Sequence, residues 1–325
     1  MGIDQRPCAI AIMGPTASGK SACALSLARQ FHGEIINMDS AAIYTGLDIG
    51  TAKPNAHMRA EVPHHMLDVT QPWRPFSAAD FARLARRELD AILHRQRLPI
   101  LVGGTGLYFR ALLTGLAPLP SANPDIRVAL TADAAERGWP ALHSDLARVD
   151  PDAARRIKEN DGQRIQRALE VYRLTGRTLT YWQQAVEQPP RLPVRLLKCV
   201  VAPERRADLV RRIAQRFEAM LTAGFLEEVA DLRRTIQELE IENPHALPAL
   251  RAVGYRQAWS FLDGHIDYET FYMQSVQATK HLAKRQLTWC RSQLDARWFD
   301  PEDAQIELTT AVRRFVKPRP RVDYG

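Results

Sequence analysis

Cysteine is scarce and scattered in this sequence. The 325 residues include four cysteines, Cys8, Cys23, Cys199 and Cys290, and no two of them form a CxxC pair. Disulfide frameworks and cysteine zinc sites depend on paired or closely spaced cysteines, so this spacing favours buried thiols in a reducing compartment. We therefore expect a cytoplasmic protein.

Long hydrophobic runs are missing from the start of the chain. The apolar run that follows Pro7 ends at Met13, whereas a membrane-spanning helix needs about 20 apolar residues. We expect neither a secretion signal nor a membrane span.

The chain also lacks a strong excess of one charge. Lysine and arginine number 44 against 37 aspartates and glutamates, a formal net charge of +7. A modest positive excess suits a polyanionic partner but is shared by many proteins. The length is enough for one large domain with an insertion.

A phosphate-binding loop follows the short apolar run. Residues 14–21 read GPTASGKS, a full match to GxxxxGK[ST], and a strand before them with a helix after them is the context that this motif requires. Strand, turn and helix point backbone N–H groups at one anion. Lys20 adds positive charge, and the Ser21 hydroxyl is placed to bind a magnesium ion (Mg²⁺) that bridges two phosphate oxygens. The predicted diphosphate- or nucleotide-binding residues are Gly14, Pro15, Thr16, Ala17, Ser18, Gly19, Lys20 and Ser21.

The carboxylate with which most P-loop enzymes hold their metal is missing from its usual place. The best second strand, residues 98–102, ends in glycines and Thr105 instead of an acidic residue, although enzymes that transfer a γ-phosphate carry a carboxylate there. An acidic residue instead ends the earlier strand over residues 34–40. This residue, Asp39, is either a metal ligand or a base beside the phosphates, and spacing alone leaves both roles open.

Short apolar strands alternate with helical patterns over residues 1–117. This alternation predicts an α/β fold, with a P-loop NTPase-like parallel sheet core and helices on both faces. One helix begins with a capping box, in which Ser77 is the N-cap and Asp80 the third helical residue, and runs to about Arg95.

A proline-rich hinge at residues 116–124 ends this alternation. Residues 125–184 read as helices, and a second proline-rich break at residues 188–193 precedes an apolar strand at 196–201. We predict an α/β core in two parts, an all-helical insertion and a basic flexible tail, at residues 1–120 and 191–312, 121–190, and 313–325 respectively.

A basic helix is predicted from residues 271 to 294. Lys280, Lys284 and Arg291 fall near one stripe, which Arg285 adjoins. In the insertion, two further arginines lie one helical turn apart. Both patterns are also typical of a solvated helix face.

A series of short strings extends from the phosphate-binding loop to the C-terminal third. After the loop come DSAAIY (39–44), DIGTAKP (48–54), VPHH (62–65), VGGTGLY (102–108), DGQRIQRALE (161–170), VGYRQ (253–257) and AKRQLTW (283–289). In this order and spacing the strings resemble the bacterial tRNA dimethylallyltransferase family, the tRNA isopentenyltransferases. The likeness spans about residues 8–299.

The resemblance implies an activity and its partners. The activity is transfer of a dimethylallyl group from dimethylallyl diphosphate to N6 of adenosine 37 in the tRNA anticodon loop, with release of diphosphate. The implied partners are the anticodon stem-loop of tRNA and dimethylallyl diphosphate, with Mg²⁺ as cofactor. We expect no membrane and no obligatory protein partner.

The resemblance and the chemistry together assign residues. Lys20 and Arg216 would neutralise the diphosphate, because a guanidinium can bind two oxygens at once. Asp39 would accept the N6 proton and Thr105 would hold the amine. The predicted tRNA-binding residues are Asp39, Ser40, Ala41, Ala42, Thr105, Arg127, Gln163, Arg164, Ile165, Gln166, Arg167, Arg251, Ala252, Val253, Gly254, Tyr255, Arg256, Lys284 and Arg285.

Two other functions fit parts of the pattern. In a P-loop small-molecule or nucleoside kinase, Asp39 would deprotonate a hydroxyl and the insertion would be a lid, but the basic helix is then unexplained. An ATP-driven RNA-binding protein would need nucleotide turnover without the usual acidic strand end.

Overall fold

The computed structural model describes residues 6–184 and 192–317. The chain divides into two compact units, one of residues 1–112 with 192–325 and the other of residues 113–191. The boundary therefore lies before the predicted residue 121. Residues 188–191 of the second predicted break, and residues 318–325 of the predicted tail, lie outside the described part of the chain.

A parallel sheet lies at the centre of the first unit, with its strands in the order β3-β2-β4-β1-β5-β6. Every neighbouring pair is parallel, and central Ile10 pairs with both Ile100 and Leu197. The strands are β1 (Cys8–Met13), β2 (Gly33–Asn37), β3 (His64–His65), β4 (Leu98–Gly103), β5 (Arg195–Val201) and β6 (Arg297–Phe299). The predicted α/β fold is confirmed. The sequence did not indicate β3 and β6, because two and three residues are too few to form an apolar run.

Helices account for the remaining regular structure of the described residues. The α-helices are α1 (Lys20–Phe31), α2 (Ala56–Glu61), α3 (Ala78–His94), α4 (Gly106–Thr114), α5 (Pro124–Arg137), α6 (Trp139–Val149), α7 (Pro151–Arg156), α8 (Gly162–Thr175), α9 (Leu179–Gln184), α10 (Arg206–Thr222), α11 (Phe225–Glu238), α12 (Tyr255–Leu262), α13 (Tyr268–Arg291) and α14 (Ala304–Val316). None of these described helices combines the length and apolar character that crossing a membrane requires.

Two helix termini test the sequence reading directly. At the start of α3, Asp80 N–H donates to Ser77 Oγ at 3.1 Å and Ser77 N–H donates to Asp80 Oδ2 at 3.3 Å, so the predicted capping box is confirmed. At the other end of the chain, α14 continues to Val316. The prediction of a tail from residue 313 is therefore wrong over residues 313–316, where buried Leu308 and Val312 pack this helix into the core.

The core of the first unit lies on both faces of the sheet. On one face, α1 and α14 pack over side chains of the central strands, among them Ile10, Ile12 and Val201. The alternate residues Ala9 and Ala11 are fully buried as well. A sheet covered on both faces leaves the ends of its strands as the place where polar side chains can gather.

The regular structure in the described residues of the second unit is all helical. A core of aliphatic side chains, including Leu130, Leu146 and Ile165, joins α5, α6 and α8. Glu170 is fully buried beside this core and accepts hydrogen bonds from the guanidinium groups of Arg127 and Arg167. Removing these guanidinium partners would leave the buried carboxylate unpaired, which destabilises the folded protein strongly.

A second buried carboxylate, Glu34, connects strands and helix at the edge of the sheet. Arg95 donates to it twice, from Nη2 at 2.7 Å and from Nε at 3.1 Å, and His65 Nε2 lies 2.7 Å from its Oε2. The hydrogen bonds from Arg95, supported by His65, lower the pKa of Glu34 below its usual value. The ionised form therefore contributes to folding.

We expect Glu34→Gln to lower the free energy of unfolding by about 2 kcal/mol at neutral pH, because half-exposed Arg95 then loses its negatively charged partner. Since the folded pKa is lowered, this contribution is complete above the unfolded pKa of about 4.3 and is lost as pH falls through the folded value. Urea denaturation of both proteins at pH 7 and pH 4 checks this. A difference that does not shrink at pH 4 would contradict it.

Candidate active site

The loop between β1 and α1 has backbone angles that its glycines make accessible. Gly14 and Gly19 have φ angles of +156° and +86°. A Cβ atom at Gly14 would come within 2.2 Å of the Val201 carbonyl oxygen, so no side chain fits there. The helix α1 begins at Lys20, which places its free N–H groups at the loop.

Lys20 is almost completely buried in this loop. Its Nζ donates to the Pro15 carbonyl oxygen at 3.0 Å, and no described carboxylate lies within ion-pair distance. Burial, reinforced by the positive charge of Arg216, lowers the pKa of Lys20 to about 8, while Asp39 opposes the shift. A buried cation without an ion-pair partner is stabilised by a bound anion.

A cavity of about 550 Å³, here called the P-loop cavity, opens over these residues. Its lining includes residues 16–21, Asp39 and Arg216. Ser18 also lines it, and its buried hydroxyl has no hydrogen-bond partner among the described residues. Buried hydroxyls are rarely left unpaired, which is consistent with a polar ligand beside this loop.

A second cavity of about 310 Å³ adjoins the P-loop cavity. Four residues line both: Thr16, Asp39, Thr51 and Arg216. The lining of the second cavity also includes aromatic and aliphatic side chains, residues 251–255 and several polar side chains, namely Ser40, Thr105, Thr279, Arg285 and Gln286. A molecule in the second cavity can therefore meet a molecule in the P-loop cavity at Asp39.

Asp39 and Thr105 follow two paired strands, β2 and β4, and so reach the same edge of the sheet. Asp39 Oδ1 accepts a hydrogen bond from the Ala41 N–H at 2.9 Å. Thr105 Oγ1 accepts one from the Ser40 N–H at 3.0 Å and donates to Ser40 Oγ at 3.3 Å. These bonds fix the turn after β2 against the end of β4, as their positions at neighbouring strand ends predict.

Arg216 reaches the junction of the two cavities from α10. Its Nη2 lies 3.5 Å from the Thr51 carbonyl oxygen, longer than a normal hydrogen bond, so the contact between them is weak. Burial lowers the pKa of Arg216, and the nearby Asp39 opposes the shift. No described carboxylate forms an ion pair with it. Lys20 and Arg216 thus both line the P-loop cavity without such a partner.

Sequence reasoning missed Gln286 on α13. Its Oε1 accepts a hydrogen bond from the Thr16 N–H at 2.8 Å, and a Cβ atom at Gly104 would meet its Nε2 at 2.2 Å. One turn further, Trp289 lies where a Cβ atom of Gly106 would be, and it stacks on Phe109. The glycines after β4 therefore leave room for α13 to pack against the site. The basic residues of this helix suggested an exposed RNA-binding face, so this packing was not predicted.

The candidate metal ligands are few. Among the described residues, no three or more His, Cys, Asp or Glu side chains are arranged to hold a metal ion. The Ser21 hydroxyl and the Asp39 carboxylate both line the P-loop cavity. Mg²⁺ commonly takes one or two protein oxygens together with phosphate oxygens and water. This donor set fits a magnesium ion that arrives with a phosphate ligand.

The predicted tRNA-binding residues of the first unit differ in which cavity they line. Residues Ser40, Ala41, Thr105, Arg251, Ala252, Val253, Gly254 and Arg285 line the second cavity, whereas Ala42 lines the P-loop cavity. Tyr255 also lines the second cavity, but its hydroxyl donates to Glu228 at 2.6 Å. Its hydroxyl is therefore committed to an internal contact. Arg256 and Lys284 are exposed and line neither cavity.

The predicted residues of α8 do not share one exposed face. Gln163 and Arg164 are exposed, but Ile165 is fully buried in the core of its unit, so its side chain is not available to RNA and its predicted place in the tRNA-contacting stretch stays a prediction. Gln166 Nε2 donates to the Arg127 carbonyl oxygen at 3.1 Å. Arg127 and Arg167 both bind Glu170. A five-residue stretch of helix must turn some side chains inward.

Fold and site together define a P-loop α/β protein with a helical insertion. The family model for IPP transferases matches residues 42–293. The chain belongs to this family.

Named relatives agree over nearly the whole length. The tRNA dimethylallyltransferase of Stenotrophomonas maltophilia (strain R551-3) is 59% identical over 316 residues, 97% of this chain and 99% of that protein. The tRNA dimethylallyltransferase of Xanthomonas axonopodis pv. citri (strain 306) is 56% identical over 322 residues, 99% of this chain and 98% of that protein.

Solved structures share the fold. The full-length tRNA isopentenylpyrophosphate transferase from Bacillus halodurans is 33% identical, with a TM-score of 0.68, and the match covers 96% of this chain and 97% of that one. A eukaryotic dimethylallyltransferase acting on tRNA has a TM-score of 0.79 at 24% identity, covering 98% of this chain and 81% of that one, a likeness of fold alone.

The lowered pKa of Lys20 makes anion binding depend on pH. We expect the affinity for inorganic diphosphate with Mg²⁺ to be lower at pH 9 than at pH 7, because Lys20 loses its proton near pH 8 in the free protein. Lys20→Ala should bind diphosphate weakly at both pH values, whereas Lys158→Ala, a change at an exposed lysine of the second unit, should behave as the wild type does. Isothermal titration calorimetry measures this, and equal pH dependence in Lys20→Ala would contradict it.

Proposed function

We propose that this protein transfers the dimethylallyl group of dimethylallyl diphosphate to N6 of adenosine 37 in the tRNA anticodon loop, releasing diphosphate. The observation that carries the proposal is a pair of cations, buried Lys20 and half-buried Arg216, that line a phosphate-binding cavity adjoining a second cavity at Asp39. The names of the relatives support the same activity.

The P-loop cavity suits the diphosphate of the donor. An allylic diphosphate breaks its C–O bond readily once the charge that develops on the leaving oxygen is neutralised. Lys20, Arg216 and the loop N–H groups are fixed before the reaction and supply that charge. The Ser21 hydroxyl would hold Mg²⁺, whose positive charge adds to theirs on the leaving diphosphate.

The second cavity suits the base that accepts the prenyl group. The N6 lone pair of adenine is delocalised into the ring, so attack becomes feasible only as a proton leaves. In the proposed step, N6 forms a bond to the allylic carbon, the C–O electron pair passes to the diphosphate, and the N6 proton passes to the Asp39 carboxylate. Thr105 lines the same cavity and holds the amine by its hydroxyl.

A base that is stacked in an RNA loop cannot reach a cavity in the core. The adenosine must therefore leave its stack, as in other enzymes that act on a single base. Two exposed arginines line the second cavity, Arg251 and Arg285. Their charges suit the phosphates on either side of the extruded nucleotide.

The proposed role of Asp39 is tested by Asp39→Asn. We expect a loss of about a hundred- to ten-thousand-fold in the single-turnover transfer rate, with little change in donor or tRNA affinity, because asparagine keeps the shape but cannot accept the proton. Asp90→Asn, a change at an exposed aspartate on α3, is the matched control.

The alternative role of Asp39 as a Mg²⁺ ligand gives a different result. Donor binding would then weaken in Asp39→Asn and recover partly at high Mg²⁺ concentration. Transfer rates and donor affinities measured across a magnesium series separate the two roles. A near-normal rate at saturating donor and tRNA would remove Asp39 from the proposed mechanism.

The proposed RNA contacts are tested with Arg164, Lys284 and Arg285, all exposed. Replacing all three with alanine should weaken tRNA binding and reduce the slope of log affinity against log salt by about 0.7 to 0.9 for each phosphate that the protein no longer neutralises. The triple alanine variant of Arg83, Arg87 and Arg97, equally exposed residues of the α3 region, is the control. An unchanged affinity and slope would show that the three residues do not contact RNA.

A further inference from the structure

A carboxylate outside both cavities binds the loop that separates them. Glu228 on α11 lines neither cavity. Its Oε2 accepts hydrogen bonds from the Asp48 N–H at 2.8 Å and the Ile49 N–H at 2.6 Å. Its Oε1 accepts from the Gly50 N–H at 3.1 Å and from the Tyr255 hydroxyl at 2.6 Å. One carboxylate thus receives four donors.

Successive backbone N–H groups that converge on one point form a site for an anion. In this loop, residues 48–50 present three such groups, and the anion is a side chain of the same protein. Bonds to an ionised acceptor are shorter and about twice as strong as neutral ones. Glu228 therefore holds this backbone far more firmly than a neutral side chain of the same shape.

The loop that Glu228 holds, residues 48–53, contributes to both cavities. Thr51 lines both, Gly50 lines the second cavity, and Ala52 and Lys53 line the P-loop cavity. The Thr51 carbonyl oxygen is the acceptor for Arg216. A shift of this loop would therefore move a carbonyl group that lies beside a cation of the P-loop cavity and would change the shape of both cavities.

The loop is packed too closely to take another position at low cost. A Cβ atom at Gly50 would lie 2.4 Å from the Phe225 ring and 2.6 Å from the Tyr255 hydroxyl. Ala52 has a left-handed φ of +51°, an unfavourable angle for a residue with a side chain. Strained backbone of this kind persists only where its surroundings fix it.

The far end of the loop has an anchor of its own. Lys53 has a buried side chain, and its Nζ donates to the Tyr44 carbonyl oxygen at 2.6 Å and to Asp68 Oδ1 at 2.6 Å. It also donates to Asp48 Oδ1 at 2.7 Å. Lys53 thus fixes the second half of the loop, while Glu228 fixes the first half.

Glu228 also joins the loop to another part of the second cavity's lining. Tyr255, which donates to it, follows residues 251–254, and all of these residues line that cavity. Burial, together with the negative charge of Glu228, raises the pKa of Tyr255, so the phenol stays protonated and remains a donor. The same carboxylate therefore holds residues 48–50 and Tyr255 in a fixed relative position.

We propose that Glu228 is a positioning residue for the transfer reaction: it fixes loop 48–53, whose Thr51 carbonyl lies beside Arg216, against residues 251–255. This inference rests on the proposed function, because it concerns the same two cavities. It predicts that the charge of Glu228 acts on the rate at saturation more than on the binding of tRNA.

The test compares Glu228→Gln with Glu227→Gln, its exposed neighbour on α11. Glutamine has the same size but turns an NH₂ group toward N–H donors. We expect kcat to fall at least about tenfold in Glu228→Gln at saturating donor and tRNA, with the KM for tRNA within about twofold of wild type. Glu227→Gln should match the wild type. Assays run well below the melting temperature of each variant, measured by circular dichroism.

A second readout does not depend on activity. Hydrogen exchange of the peptide that contains residues 48–50 should be slow in wild type and Glu227→Gln and fast in Glu228→Gln, because these N–H groups lose their acceptor. If this occurs while the wild type transfers no prenyl group to tRNA, the proposed function fails and the anchoring of the loop stands.

Two results would overturn the inference. One is unchanged exchange in Glu228→Gln, and the other is faster exchange with normal kcat in a folded variant, which would make Glu228 a stability residue only. If Glu228→Gln does not fold, Tyr255→Phe takes its place, since it removes one of four donors and leaves the three backbone bonds. It should lower kcat about threefold without changing the KM for tRNA, and an unchanged kcat would overturn the inference.

Discussion

The placement of two cations, buried Lys20 and half-buried Arg216, at the end of a parallel sheet is the constraint on which the rest of the site depends. Lys20 and Arg216 have no ion-pair partner among the described residues, and burial lowers the pKa of both. A cation shielded from water and without a partner destabilises the empty protein, and a bound anion removes this destabilisation. The glycine-rich loop, the covered sheet and the junction at Asp39 all serve to hold these charges where a diphosphate can reach them.

Rigid supports from distant parts of the chain keep this arrangement in place. Gln286 from α13 accepts the Thr16 N–H, and Glu228 from α11 holds the loop that supplies the carbonyl partner of Arg216. Gln286 lines the second cavity, whereas Glu228 lies outside both cavities. Preorganised charge is effective in catalysis because it does not have to be rearranged when charge develops, and these supports are the means by which this fold achieves preorganisation.

The sequence allowed the local features and the neighbouring strand ends at Asp39 and Thr105 to be predicted, but not the contacts that side chains of distant helices make with the site. The phosphate-binding loop and the α3 capping box depend on residues within one turn of each other, so their patterns are explicit. Gln286 and Glu228 act on residues far away in the chain, and nothing local distinguishes them from solvated side chains. The burial of the Ile165 side chain was also hidden from the sequence, because a motif string does not show which side of a helix faces the core. A strand as short as β6 has too few residues to show an alternating or apolar sequence pattern.

The central claim is that the P-loop cavity serves prenyl transfer to RNA and not phosphoryl transfer. The most direct measurement incubates the wild-type protein with Mg²⁺, radiolabelled dimethylallyl diphosphate and unmodified tRNA, and maps the label by nuclease digestion. The account predicts label on the adenosine next to the anticodon, at position 37, with release of diphosphate. Unlabelled tRNA together with phosphorylation of a small alcohol or nucleoside by ATP would contradict it.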